Sequence, residues 1–262
     1  MKKSYLHLLF IYLLVLSCSK EATVTPIVEA PPVAPSTIFE QIFNTSNSGL
    51  IDNNINAIEF SSNLAKIATN NGYVTFDGNI WIVLTTANSS LPSNKINAIK
   101  TSGSITWLAT DNGLVSYDGT LMAIYNMSNS PLPLNNIRSL ALDLANNLWI
   151  GTFNGGGLAK FDGINWNVYT PGNSNLPNNS VASITKDNIG NIWVGTANGI
   201  SMFDGVNFTN YNNSNSPLPN SNVYCVTIDS NNVKWIGSNG GLTRFDGVNW
   251  QTYNMQNSGL PL

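Results

Sequence analysis

The chain has 262 residues, 42% hydrophobic and 10% charged, with a formal net charge of −3. Once Lys2 and Lys3 are set aside it holds no basic run, which excludes the electrostatic footprint of a nucleic-acid binder. Its one histidine, His7, lies in an N-terminal apolar segment, so the rest has no imidazole for a Ser-His-Asp or Cys-His nucleophile or for a histidine-bound metal.

Residues 1–18 open with Lys2-Lys3, continue through an apolar run from Leu6 to Leu16, and end in Val15-Leu16-Ser17-Cys18. A positive start and an apolar stretch too short to span a bilayer read as a secretory signal. The ending resembles a bacterial lipobox, with Val15 where Leu is usual, and makes Cys18 the lipid attachment residue. An ordinary cleaved signal with an incidental Cys18 is the alternative. Residues 19–37 carry Pro26, Pro31, Pro32 and Pro35 and read as an extended tether. The expected location is the bacterial cell envelope, on the periplasmic face or the cell surface, with membrane contact through the lipid anchor only.

Residues 38–262 are expected to be repeats. Residues 38–44 read as a lone strand that copies the outermost strand of the units that follow. Five units then share two landmarks. The aspartate of a (Phe/Tyr)-Asp-Gly turn falls at Asp77, Asp118, Asp162, Asp204 and Asp246, in steps of 41, 44, 42 and 42 residues. The serine of Asn-Ser-x-Leu falls at Ser48, Ser89, Ser130, Ser174, Ser216 and Ser258. A period of about 40–50 residues with several short strands per unit predicts an all-β propeller of four-stranded antiparallel blades.

Within a unit the first strand reads apolar, variable, small, apolar, as in Ile55-Asn56-Ala57-Ile58 and Val223-Tyr224-Cys225-Val226. The second carries Trp107, Trp149, Trp193 and Trp235, with Lys66 in the first unit. The third ends at the Asp-Gly turn, and the fourth carries Trp81, Met122, Trp166, Phe208 and Trp250. After Tyr253 only the connecting loop of a sixth unit follows. Either five blades close with one strand left over, or the sequence is a piece of a longer propeller; the second reading is favoured.

Units such as Trp149-Ile-Gly-Thr, Phe161-Asp-Gly-Ile-Asn-Trp166 and Asn175-Leu-Pro177 resemble the two-component regulator propeller repeat over nearly all of residues 45–262. The resemblance implies the propeller fold and an extracytoplasmic sensor-like binding role, often toward polysaccharide fragments. No kinase and no membrane span follow the repeats here, so a signalling output is not carried over.

Residues repeated in every unit read as structural. The Asp-Gly aspartates are turn residues, because an active site needs unlike groups converging once. Asp143, Asp187 and Asp229, each six residues before a Trp, are likewise expected in turns, and the recurring Trp and Tyr in the core between sheets. Cys225 shares its slot with Ala57, Ala98, Ser139 and Ser183 and is expected to be a small packing residue. The irregular loop between the second and third strands is the better site candidate. There Asn70, Asp111, Phe153, Asn154, Asn198 and Asn239 form a possible rim for a sugar ring. The expected function is non-enzymatic binding or scaffolding, toward a polysaccharide fragment or a protein partner, with no cofactor, metal or nucleic acid. The alternatives are a fragment of a larger sensor ectodomain and a propeller lyase or glycosidase. A glycosidase needs two carboxylates about 5–9.5 Å apart, and no irregular acid pair stands out.

Overall fold

The computed structural model describes residues 42–260, which belong to one compact unit. The signal, Cys18, the tether and residues 38–41 of the expected extra strand lie outside the described residues. The described part contains strands and turns and no helix.

Five four-stranded antiparallel sheets follow one another, each a meander in chain order. The first blade comprises β1 (Ile55–Ser61), β2 (Leu64–Thr69), β3 (Tyr73–Phe76) and β4 (Trp81–Leu84). The second comprises β5 (Ile96–Ser102), β6 (Ile105–Thr110), β7 (Gly113–Tyr117) and β8 (Met122–Tyr125). The third comprises β9 (Ile137–Leu142), β10 (Leu148–Thr152), β11 (Leu158–Phe161) and β12 (Trp166–Tyr169). The fourth comprises β13 (Val181–Lys186), β14 (Ile192–Thr196), β15 (Gly199–Phe203) and β16 (Phe208–Tyr211). The fifth comprises β17 (Val223–Ile228), β18 (Lys234–Ser238), β19 (Gly241–Phe245) and β20 (Trp250–Tyr253). The propeller of four-stranded blades expected from the repeat is the observed fold.

Turn chemistry sets the meander. In the fourth blade the Asp204 carboxylate accepts the N–H groups of Val206 and Asn207, while Gly205 takes φ 104°, a conformation open to glycine. The other Asp-Gly turns accept the same pair of N–H groups, for example Ile164 and Asn165 at Asp162. These aspartates are turn residues, as their repetition implied.

In the three inner blades the second strand is buried on both faces because its sheet is sandwiched between two others; Ile192–Thr196 has no exposed residue. The fourth and fifth blades meet through Trp193, Ile200, Leu218, Val223, Val226, Ile236 and Phe245. A Cβ on Gly195 would lie 2.8 Å from Val223 Cγ1, so only glycine admits this approach. The aromatics serve the same interfaces. Trp193 stacks on Tyr211 with centroids 6.1 Å apart, Tyr211 meets Phe245 of the next blade at 5.7 Å, and Phe245 stacks on Trp250 at 4.0 Å.

The innermost strands pack in the series β1, β5, β9, β13, β17. Ile99, Leu140, Ile184 and Val226 are buried against the preceding blade, whereas their counterpart Ile58 is 55% exposed. Among the described residues, then, no blade packs on the leading face of the first blade or on the trailing face of the fifth; Phe43 and Leu50 cover only part of the former.

Two expectations are corrected at these ends. The strand expected over 38–44 is absent at residues 42–44, which have no third strand of their own blade to pair with among the described residues. Phe43 still fills the aromatic slot of such a strand, 5.4 Å from both Phe76 and Trp81, as Tyr211 does between Phe245 and Trp250. Cys225 is exposed rather than packed. In the same slot Ser139 Oγ accepts the N–H of Ile184 at 2.8 Å, and Ser183 Oγ that of Val226 at 3.0 Å, so the position faces the following blade. Behind Cys225 no described blade follows.

Candidate functional site

The register of every innermost strand slips at its second residue. Ile55 pairs with Thr69 but Ala57 with Ala68, and the same jump occurs between Ile96 and Ala98, Ile137 and Ser139, Val181 and Ser183, and Val223 and Cys225. The residue between is a β-bulge, freed from the alternation of the pleat and re-aimed. Those residues are Asn56, Asn97, Arg138, Ala182 and Tyr224, four residue types at one position.

The bulged side chains meet the loops that the sequence singled out. Asn56 Nδ2 donates to Asn70 Oδ1 at 2.9 Å, and Asn97 Nδ2 to Asp111 Oδ1 at 2.7 Å. The Tyr224 hydroxyl donates to Asn239 Oδ1 at 2.7 Å and accepts from Asn222 Nδ2 at 3.1 Å. Asn56 and Asn97 also reach the following blade, donating to the carbonyls of Ile96 and Ile137. Asn97 is 7% exposed, and its Oδ1 has no hydrogen-bond partner. Asp111 is further held by Lys95 at 3.2 Å.

The six expected rim residues therefore separate into groups. Asn70, Asp111 and Asn239 join the bulge residues. Phe153, 37% exposed, and Asn154, at φ 67°, form the outward part of the loop between β10 and β11. Asn198 lies one residue further along its loop and turns away; its Nδ2 donates to Pro177 O at 3.5 Å, as Asn112 does to Pro92 O at 3.3 Å. Asn198 ties its turn to the connecting loop. The bulge positions were missed as site residues, although their variability in an otherwise regular strand pattern was visible.

At the far end of the inner strands a second opening, of about 480 Å³, is lined by side chains from all five blades, including Glu59, Lys100, Asp143, Lys186 and Val226. Its carboxylates are already engaged. Glu59 pairs with Lys100 at 3.6 Å and accepts from the Thr101 hydroxyl at 2.7 Å. Asp143 accepts the N–H groups of Ala145 and Asn147 and the Trp149 indole N–H. Asp187 and Asp229 make the same bonds to Trp193 and Trp235. The three are turn residues, as expected, that also fix a core indole. Among the described residues no group of three or more His, Cys, Asp or Glu could hold a metal ion.

Residues 175–198, from the connecting loop into the turn after β14, match the two component regulator propeller family. No curated protein matches the chain. In structure it is similar to the extracellular domain assigned to a hybrid two component system of B. thetaiotaomicron, at 21% identity and TM-score 0.71, over 80% of this chain and 30% of that one. It is also similar to the extracellular domain assigned to a one component system of the same organism, at 19% identity and TM-score 0.57, over 80% of this chain and 36% of that one. A catalytically inactive virginiamycin B lyase from Staphylococcus aureus, with Quinupristin, is similar at 16% identity and TM-score 0.63, over 77% of this chain and 70% of that one. The chain thus spans roughly a third of the length of the two extracellular domains. At these identities the likeness establishes the fold.

Proposed function

We propose that this chain, which carries the two-component regulator propeller repeat, is a non-enzymatic extracytoplasmic module that binds a polysaccharide fragment at the rim built on its five bulges. One observation carries the reading. Positions shared by the five units are spent on turns and inter-blade core, while the bulge at the start of each inner strand varies among Asn, Arg, Ala and Tyr, and Asn56, Asn97 and Tyr224 there bond to the neighbouring loops. A repeat needs only its shared residues to fold, so a side chain re-aimed by a bulge in every unit, and different between units, suits recognition rather than folding.

The chemistry suits a sugar. Asn56, Asn70 and Asn239 supply amide donors and acceptors. Tyr224, 52% exposed, and Phe153 offer rings on which a pyranose face can stack. Arg138, exposed among them, favours a fragment bearing a carboxylate or sulfate. The similar extracellular domains support a place outside the cytoplasm; attachment through Cys18 belongs to the same proposal. The similar lyase does not shift the reading to catalysis, since no described residue is a histidine and the carboxylates at both openings are held by lysines, amides or indoles.

The test is a thermal melt of the unlipidated protein with a panel of neutral and acidic polysaccharide fragments. A ligand at about 100 times its Kd adds about 2.7 kcal/mol. A midpoint raised by one fragment class, and no longer raised in Tyr224→Ala, supports the proposal. Turnover of a fragment, or a shift that Tyr224→Ala and Phe153→Ala leave intact, defeats it.

A further inference from the structure

The turn between the second and third strands carries an Asn-Gly pair in every blade: Asn71-Gly72, Asn112-Gly113, Asn154-Gly155, Asn198-Gly199 and Asn239-Gly240. Such a pair can react with itself. The glycine has no side chain to obstruct its own backbone nitrogen, which can approach the asparagine Cγ and close a five-membered ring. The ring forms only where the asparagine side chain can swing toward the chain and the glycine N–H is not held elsewhere.

Four of the pairs are held. Asn112 Nδ2 donates to Pro92 O at 3.3 Å and Asn198 Nδ2 to Pro177 O at 3.5 Å, while the N–H groups of Gly113 and Gly199 donate to Asn135 O and Ser221 O. Asn71 Nδ2 donates to Asp52 Oδ2 at 3.1 Å, and Gly72 is buried. Asn239 Oδ1 accepts from the Tyr224 hydroxyl, and Gly240 is wedged against Pro219, where a Cβ would lie 2.6 Å from Pro219 Cβ.

The third blade differs because its turn is longer, running over residues 153–157 where the fourth blade has only 197–198. The bond that Gly199 makes passes to Gly157, whose N–H donates to Asn179 O at 2.8 Å. Asn154 and Gly155 are thereby pushed out, and both are exposed. Among the described residues neither the Asn154 side chain nor the Gly155 N–H makes a hydrogen bond; only the Asn154 N–H is held, by Ser180 Oγ at 3.4 Å. A Cβ at Gly155 would meet nothing within 4 Å, so the backbone has room to turn.

We propose that Asn154 is a site of spontaneous deamidation in the folded protein. Gly155 N, on losing its proton to hydroxide, bonds to Asn154 Cγ; the Cγ–Nδ2 bond breaks and ammonia leaves. Water then opens the cyclic imide at either carbonyl, which leaves an aspartyl residue or its isomer with the backbone routed through the side chain. Neither oxidant nor reductant is consumed. The product adds a negative charge beside Phe153, and the chemistry does not depend on the reading given above.

The experiment holds the whole protein in mildly alkaline buffer, with and without urea. It follows each Asn-Gly peptide by mass spectrometry and by enzymatic methylation of isoaspartate. In the folded protein Asn154 should convert about tenfold or more faster than the other four, because each of those must first open locally. In urea all five should convert at similar rates. Asn154→Gln, which would have to close a less favourable six-membered ring, should remove most of the isoaspartate that the folded protein forms. Conversion at Asn154 no faster than at the other four, including no conversion at all, overturns the proposal. Isoaspartate that persists at the wild-type level in Asn154→Gln overturns it as well.

Discussion

The Asp187 carboxylate accepts the indole N–H of Trp193 at 3.0 Å while its other oxygen accepts the backbone N–H of Asn191 at 2.8 Å. One buried side chain thus closes the turn between β13 and β14 and fixes the ring on which the fifth blade packs. Asp187→Ala should cost about 2–3 kcal/mol, the penalty for stranding a buried donor opposite a charged acceptor, measured by urea unfolding. Asp229→Ala should cost less, because Trp235 is only half-buried on the last blade.

The same aspartates make stability depend on acid. Burial pushes the Asp187 carboxyl up, but the bonds from Trp193 and Asn191 together outweigh it and hold it below the usual carboxylate range. Asp143 is lowered in the same balance of burial against Asn147 and Trp149. A depressed folded pKa gives stability that is complete above the ordinary carboxylate value and is lost as pH falls through the lowered one. Melts toward acid pH should therefore converge for wild type and Asp187→Ala.

Two glycines at one repeat position report whether the last blade has a neighbour. A Cβ on Gly195 would meet Val223 Cγ1 at 2.8 Å, but on Gly237 the nearest side-chain atom is Cys225 Sγ at 3.6 Å. Gly195→Ala should destabilise by about 1–3 kcal/mol through overpacking. Gly237→Ala should be neutral, or stabilising by about 0.5–1 kcal/mol through reduced chain entropy. Equal losses in the two variants would mean that the trailing face of the fifth blade is covered in solution.

Lys66 reverses the sign of the aspartate argument. Its ammonium is held below the ordinary lysine value chiefly by burial, so the folded state releases this proton more readily than the unfolded state. Stability from this group rises as pH climbs through the lowered pKa toward the ordinary one. Lys66→Met should exceed the wild type in midpoint at neutral pH, and the gap should narrow in alkaline buffer.

At the rim, binding and stability should separate by residue. Tyr224→Phe removes a hydroxyl that bonds only the exposed Asn239 and the half-exposed Asn222, and should change stability by less than about 0.5 kcal/mol while weakening any fragment that uses it. Asn97→Ala also removes the donor to Ile137 O in the next blade and should cost about 1–2 kcal/mol. Chemical unfolding and fragment titration of the two variants check this division.

The fold was legible because the repeat states the same physics five times. Turn aspartates and inter-sheet aromatics fall where spacing placed them. What stayed hidden depends on registers and neighbours. A bulge is a mismatch between two strands, so Asn56 and Tyr224 read merely as variable until their partners were known. Cys225 was misjudged because Ser139 and Ser183 are covered by a blade that Cys225 lacks among the described residues. Lys66 was visible as a departure from Trp, but only packing shows that Tyr73, in a slot held elsewhere by Leu or Ile, brings its ring to Tyr117 instead.

The repeated bulge has a consequence for how such a molecule changes over generations. A residue outside the ladder contributes little to strand pairing. Arginine, alanine, tyrosine and asparagine therefore share one framework position without altering the sheets around it. Where the bulged side chain makes no bond to the next blade, mutation can sample this position at small cost to folding, so ligand preference can drift while the architecture is held constant.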